Sequence, residues 1–509
     1  MATCCPMWRP CSNGSWAATR LQLSSLTGGV SLCKTVNGGS SMFQTTAPDG
    51  SMALSPTPAL PPIQSIIPPR LRKATGGHGG WKVDAPQSIT VLRNQMEASQ
   101  PGTIMDCSGL LFHFRGQQLT VHDNVTEVRG GVFVIEPQAT ARAAILPRDR
   151  ENDLLFRDCI FILLGTATEQ QEALLHGHAN KGLIVLENCI FAGQPKNVSR
   201  VIGAGPGDFN TPAGRGRCVS VTSTRDVKAG GLVARGSWFL MDDERNQPTG
   251  GEGIPAISLR GTLAGNQRAW WTANKTPVGV LMPCGPVDIQ GCTIQGGYYG
   301  IELSAVEGGI VSGNTLMGQM RGVSCQDSTV GTTVSHNVIA DFKSSAVHTA
   351  YGSRGVVVTG NHAVSNVAEG QAALQAYCGT REIEISNNTV TIGAAGTPQA
   401  HVYVGNDAQS TEVRGNILSG PYRAAHIEVD QSWKKTPQVT PGYSARYTPD
   451  EPLGVTTDLL GTELIGNKAV GGLTVRASAS TGKLTLWTDE CQAAINGAAP
   501  RRIADLTVV

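Results

Sequence analysis

Glu428 and Asp430 stand two apart in "HIEVD". On a β-strand such residues share a face, roughly 6.5–7 Å between Cα atoms. Two carboxyl groups roughly 6.5–9.5 Å apart suit glycoside hydrolysis with inversion, one as a raised-pKa acid and one as the base that activates water. A second acidic cluster, Asp242, Asp243 and Glu244, follows "SWFLM" and precedes a long insertion carrying Trp270 and Trp271, rings on which a sugar could stack. Plain surface charge is the competing account of both clusters, since acidic residues mostly sit solvated. Other chemistries find less support. The sequence has no P-loop, HExxH, EF-hand loop or nucleophile elbow. "GAGPG" (Gly203 to Gly207) is not followed by a helical pattern, and "HGH" (His176 to His178) has no acidic or thiol partner at metal-ligating spacing. No cofactor and no metal are expected.

Whether Glu428 and Asp430 share a face depends on the elements around them, and those are set by a repeat. "VSGNTL", "VSHNVI", "VTGNHA", "ISNNTV" and "VRGNIL" begin at Val311, Val334, Val358, Ile385 and Val413. Taking the Asn as position zero, Cys292, Asn314, Asn337, Asn361, Asn388 and Asn416 follow one another at 22, 23, 24, 27 and 28 residues, and Asn467 comes 51 later. Looser matches fall at Asn124, Cys159, Cys189 and Ser237. Position minus three is always apolar, and position plus two is apolar except at Thr126. Position minus one is Asp, Asn, His or Gly, the residues that best tolerate positive φ. One left-handed residue bends a strand and resets its alternation, so the apolar residue and the Asn can both face inward. Asn314, Asn337, Asn361, Asn388, Asn416 and Asn467 are then expected to stack as a ladder that satisfies buried backbone groups.

A second strand follows each bend: "GIELS", "GVSCQ", "AVHTA", "ALQAY", "HVYVG", "HIEVD" and "GLTVR". Coils of this length, with short strands and sharp bends, predict an all-β right-handed parallel β-helix. Stacking places Glu302, Ser324, His348, Gln375, Tyr403 and Glu428 in one outward column. Such a polar and aromatic strip, with Trp270 and Trp271 nearby, offers hydrogen bonds and ring faces to an extended glycan. A solvated sheet face or a subunit contact accounts for the same column. Glu302 lies five coils from Glu428, about 24 Å, so these two are not partners.

Composition agrees. Gly accounts for 62 of 509 residues, only 16% are charged and 5% aromatic, which suits frequent turns rather than a helical bundle. A formal net charge of +1 gives no electrostatic reason to expect nucleic acid. No apolar run is long enough to span a membrane, and the N-terminus lacks a basic start followed by an apolar stretch. Residues 1–85, rich in Pro, Gly and Ser, are expected to form an extended anchoring arm. The β-helix is expected over 86–430, with insertions around 190–232 and 240–286. Residues 431–509 would hold a Pro-rich excursion, a last coil and a β cap in which "LTLWTD" and "ADLTVV" pair. Thirteen cysteines include no CxxC pair. Cys4, Cys5, Cys11 and Cys33 are either incidental thiols or cross-links for the arm, and Cys159 and Cys189 are expected as free, stacked thiols.

The bend residue followed by Asn resembles the pectate-lyase-like β-helix family, and the whole organisation is most similar to its bacteriophage tailspike and virion members. The resemblance covers about three quarters of the chain. It implies a homotrimer, a virion component docked to other virion proteins through residues 1–85, and an extracellular setting after lysis. It also implies a structural or receptor-binding role on bacterial surface glycan, with a polysaccharide depolymerase as the alternative. No catalytic motif of the family carries over: the calcium-binding Asp cluster and the lysis Arg of pectate lyases are not recognisable here.

Overall fold

The computed structural model describes residues 125–136, 150–163, 173–192, 217–241, 254–263, 280–405, 408–431 and 462–479 continuously, with shorter strand segments on either side. The chain is a right-handed parallel β-helix, with no α-helix among the described residues. Each coil visits three sheets in turn. In one coil Val287–Gln290 lies in sheet A, Thr293–Gln295 in sheet B and Tyr299–Ser304 in sheet C, and Glu307–Ser312 opens the next coil in sheet A. Among the described residues sheets A and B hold twelve strands each and sheet C sixteen. Pairing is parallel and in register, as in the row Ile289, Val311, Val334 and Val358 of sheet A.

The bend between sheets A and B follows from one backbone conformation. Asp158, Asn188, Gly236, Gly291, Gly313, His336, Gly360, Asn387, Gly415 and Gly466 all have φ between 52° and 64°. The residue after each bend then points into the core. Each Asn Nδ2 there donates to the Oδ1 of the Asn one coil on, at 2.9–3.0 Å from Asn314 through to Asn467. The same Oδ1 accepts the backbone N–H of the preceding Asn, as Asn361 does from Asn337 at 3.0 Å. Nδ2 also donates to the carbonyl three residues before the preceding Asn, as Asn337 does to Val311 at 2.9 Å. Every polar group of the buried amide is thus occupied, which burial demands. Cys189 makes the equivalent of the last contact with a shorter side chain, its Sγ 3.3 Å from the Phe156 carbonyl. Cys159 and Cys189 are buried free thiols.

One expected bend is misplaced. Asn124 lies outside the described residues, but Val121, three residues before it, ends the sheet C strand Gln118–Val121, and Val125 opens a strand of sheet A, so its segment joins sheets C and A rather than A and B. The bend of that coil lies at Gly130 and Gly131, with φ of 63° and 96°, and Val128 pairs with Phe156 where an inward residue is required. Glycine at position zero has no side chain to contribute, so the motif is invisible there by residue type.

Two residues past the inward position that follows each bend, sheet B sends Phe133, Phe161, Phe191 and Phe239 into the core as a stack with centroid spacings of 5.1, 4.4 and 5.2 Å. The ends of sheet C turn antiparallel, Gly80–Asp84 on Ser88–Leu92 at one end and Cys491–Ile495 on Arg501–Ile503 at the other. These pairings cover strand edges that would otherwise invite association. Leu484–Leu486 pairs antiparallel with Leu506–Val508. Within residues 1–85, Leu21–Leu23 pairs with Val30–Leu32 and Thr45–Thr46 with Met52–Ala53. Cys4, Cys5, Cys11 and Cys33 lie outside the described residues, as do Asp242, Asp243, Glu244, Trp270 and Trp271.

Candidate functional site

Sheet C carries the expected column. Its register aligns Ser258, Glu302, Ser324, His348, Gln375, Tyr403 and Glu428 one above another. The flanking residues Ile301, Leu303, Val323, Val347, Leu374 and Val402 are core, which turns the column to the other face. The column is not a solvated strip, however. From Glu302 to Glu428 none of the six expected residues is more than 3% exposed. A second layer covers them, from the sheet C edges and the turns: Tyr299, Arg321, Tyr351, Tyr377, Arg260, Gln326 and Gln399, while Arg476 follows Glu428 in the column itself. Polar groups so covered must bond one another, and they do so in three sets.

At Glu302 the carboxylate accepts from Ser258 Oγ at 2.9 Å, Gln326 Nε2 at 3.0 Å, and Arg260 through Nε at 3.0 Å and Nη2 at 2.9 Å. Burial alone would raise its pKa. Arg260 and Arg217 outweigh that and hold the group below the ordinary carboxylate value. Glu302 is therefore a saturated anion, unsuited to proton transfer.

His348 forms the second set. Its Nδ1 lies 2.9 Å from Ser324 Oγ and its Nε2 2.8 Å from Tyr377 Oη. Burial, aided by the nearby Arg321 charge, pushes its pKa well below the ordinary histidine value. The ring is neutral, so one nitrogen donates and the other accepts. Tyr377 is held well above the ordinary phenol pKa by burial, although Arg321 opposes the shift. Tyr351 and Tyr377 pack against the imidazole at centroid distances of 6.4 and 5.1 Å, and Tyr403 meets Tyr377 at 6.3 Å. Tyr403 also lies on Ala372 and Ala400, a small apolar cluster separate from the core. The Arg321 guanidinium stands over the Tyr299 ring, 5.7 Å from its centroid.

Glu428 anchors the third set. Gln399 Nε2 donates to its Oε2 at 2.6 Å, and Arg476 Nη1 lies 3.6 Å from Oε1. Burial raises its pKa despite both partners, and Asp430 adds to the rise. Asp430 is half-buried on the same strand, Ala425–Gln431. Glu428 has the character of an acid that keeps its proton at higher pH, and Asp430 stays beside it.

Sequence reasoning missed the covering layer. Its signal was the register: Tyr299 and Arg321 each stand three residues before Glu302 and Ser324, and they pair across coils. Tyr377 stands two after Gln375 and so shares its face.

A family model described as a right handed beta helix region matches residues 278–433. Among solved structures the chain is similar to PfbA, a surface adhesin of Streptococcus pneumoniae, at 9% identity, covering 64% of this chain and 82% of that one with a TM-score of 0.37. It is similar to the periplasmic alginate epimerase AlgG at 10% identity, 80% and 82% coverage and a TM-score of 0.36. The Dettilon tailspike protein aligns at 9% identity, 64% and 61% coverage and a TM-score of 0.35. The sequence finds no match among curated proteins. At so low an identity nothing about activity passes from the solved structures to this chain.

Proposed function

We propose that this right-handed parallel β-helix serves as a spike-like virion rod that binds a bacterial surface glycan along the outer face of sheet C. One observation carries the reading. The chain has only eight tyrosines, yet Tyr298, Tyr299, Tyr351, Tyr377 and Tyr403 gather on or beside one face, around Arg321 and His348. Tyr298 and Tyr403 are buried, while the partly exposed rings of Tyr299, Tyr351 and Tyr377 give a rigid surface on which sugar rings stack while hydroxyls find donors and acceptors at the edges. In this proposal the rod is a trimer, and residues 1–85 dock it to other virion proteins.

Glu428 and Asp430 favour a second reading, hydrolysis of the bound glycan. Glu428 would protonate the leaving oxygen and Asp430 would activate water. Capsular and O-antigen polysaccharides incubated with the protein separate the two readings. Retention of glycan without new reducing ends supports the rod. Reducing ends that vanish in a Glu428→Gln/Asp430→Asn double variant support hydrolysis. Absence of retention and release on every glycan tried overturns both. A sedimentation mass other than three chain masses rejects the trimer.

A further inference from the structure

Most arginines whose contacts are resolved on this β-helix have an evident partner. Arg157 meets Glu187, Arg235 meets Asp288, Arg260 meets Glu302, Arg354 meets Glu382, Arg414 meets Glu384 and Arg476 meets Glu428. Arg150, fully buried, donates instead to the Val125 and Asp153 carbonyls. Arg321 differs. Its Nε is buried with no hydrogen-bond partner, and no carboxylate among the described residues pairs with its guanidinium. The acid beside it, Glu302, is already taken by Arg260, Ser258 and Gln326. Asp327 accepts from Ser304 Oγ at 2.5 Å. His348 is held neutral by burial, and the remaining neighbours are the rings of Tyr298, Tyr299, Tyr351 and Tyr377. A half-buried cation without a counter-ion is costly in a folded protein, and one ring face offsets only part of that cost.

We propose that Arg321, framed by Tyr299, Tyr351 and Tyr377, is an oxyanion subsite that receives an anionic substituent of the glycan lying on sheet C. The planar guanidinium presents paired N–H groups to a carboxylate, sulfate or phosphate oxygen pair. The tyrosine rings flank the sugar that bears it. This subsite rests on the glycan reading above, and the test keeps the two separable.

Isothermal titration would compare a hexuronate oligosaccharide, its carboxyl-reduced neutral counterpart and a sulfated neutral oligosaccharide on the full chain. Millimolar sulfate against chloride at matched ionic strength would be followed by thermal shift. The acidic ligand is expected to bind about tenfold or more tighter than its reduced form, as a charge-assisted contact implies. Arg321→Gln should abolish that preference, and Arg321→Lys should keep part of it. The sulfated ligand separates a general oxyanion site from one that takes carboxylate alone. Arg321→Met, which removes an unpaired cation, should leave the melting temperature of the free protein unchanged or higher. A falling melting temperature would mark Arg321 as a structural residue and overturn the subsite. Equal binding of acidic and reduced ligands, or a preference that survives Arg321→Gln, would also overturn it. If no oligosaccharide binds but sulfate stabilises the protein in an Arg321-dependent way, the subsite stands and the glycan reading falls. If sulfate fails as well, both fall.

Discussion

Gly313 and Asn387 hold the same place in bends three coils apart, with φ of 64° and 54°. The left-handed conformation, not small size, is what the position selects, because a Cβ added at Gly313 would meet nothing within 4 Å. Replacing Gly313 by Asn is expected to change unfolding free energy by less than about 1 kcal/mol, whereas Gly313→Val should cost about 1–2 kcal/mol. Urea unfolding of the two variants checks this, and equal losses would refute the conformational argument. Such residue-level rules were legible in the sequence because φ tolerance and inward burial are local properties. The state of His348 and Glu428 was not. Alternation along "AVHTA" shows that His348 leaves the core, but its burial depends on Tyr377, 29 residues away, folding back to contact Nε2 at 2.8 Å. Arg321 was overlooked for a related reason: a missing counter-ion is visible only once every neighbouring acid has been assigned.

At the level of elements, sheet B supports the core through its phenylalanine stack. Phe191 is fully buried between Phe161 and Phe239, and interplanar angles of 13° and 8° leave little room for another shape. Phe191→Ala should therefore cost about 3–5 kcal/mol, with transfer and cavity contributions adding. A loss below about 1 kcal/mol in denaturant unfolding would mean that neighbouring coils collapse into the gap. The three sheets also differ in what they present outward. Sheet A is charged, with Arg157 paired to Glu187 at 2.9 Å and Arg414 to Glu384 at 3.2 Å. Such exposed pairs contribute little to stability and keep that face solvated. Sheet B exposes Met317, Val338 and Ile417, whereas sheet C covers a polar column with rings. The periodic strands of all three were readable from apolar spacing. The Gly130 bend was not, since Gly131 takes the place that Asn, Cys or Ser marks in other coils.

Across the whole molecule, a solenoid coil leans only on its neighbours, so stability is a sum along the axis and a weak coil frays without melting the rest. The coils carrying His401, His426 and Thr474 hold two depressed imidazoles side by side, where buried His348 stands singly, and are the most acid-sensitive place. His401 is fully buried, its Nε2 3.2 Å from the Pro421 carbonyl and its Nδ1 without a partner. His426 Nδ1 accepts the Thr474 backbone N–H at 3.2 Å, and the two imidazoles lie 5.2 Å apart. Burial lowers each to about 4 from an ordinary 6.5, and His401 also opposes the charging of His426. Since the folded values lie below the unfolded ones, the unfolded chain takes up protons first. The stability contribution is complete above pH 6.5 and is lost as pH falls toward 4, by at most about 1.4 kcal/mol per pH unit for each ring. Hydrogen exchange at pH 5 should therefore lose protection first in Ala400–Gly405, Ala425–Gln431 and Leu473–Ala479. Coils around Ser237 and Cys292, whose strands hold no histidine, should keep theirs. His401→Asn/His426→Asn would flatten the dependence, because neither amide titrates. Uniform loss of protection along the axis would show instead that the coils unfold as one unit, and the nearest-neighbour picture of this rod would fail.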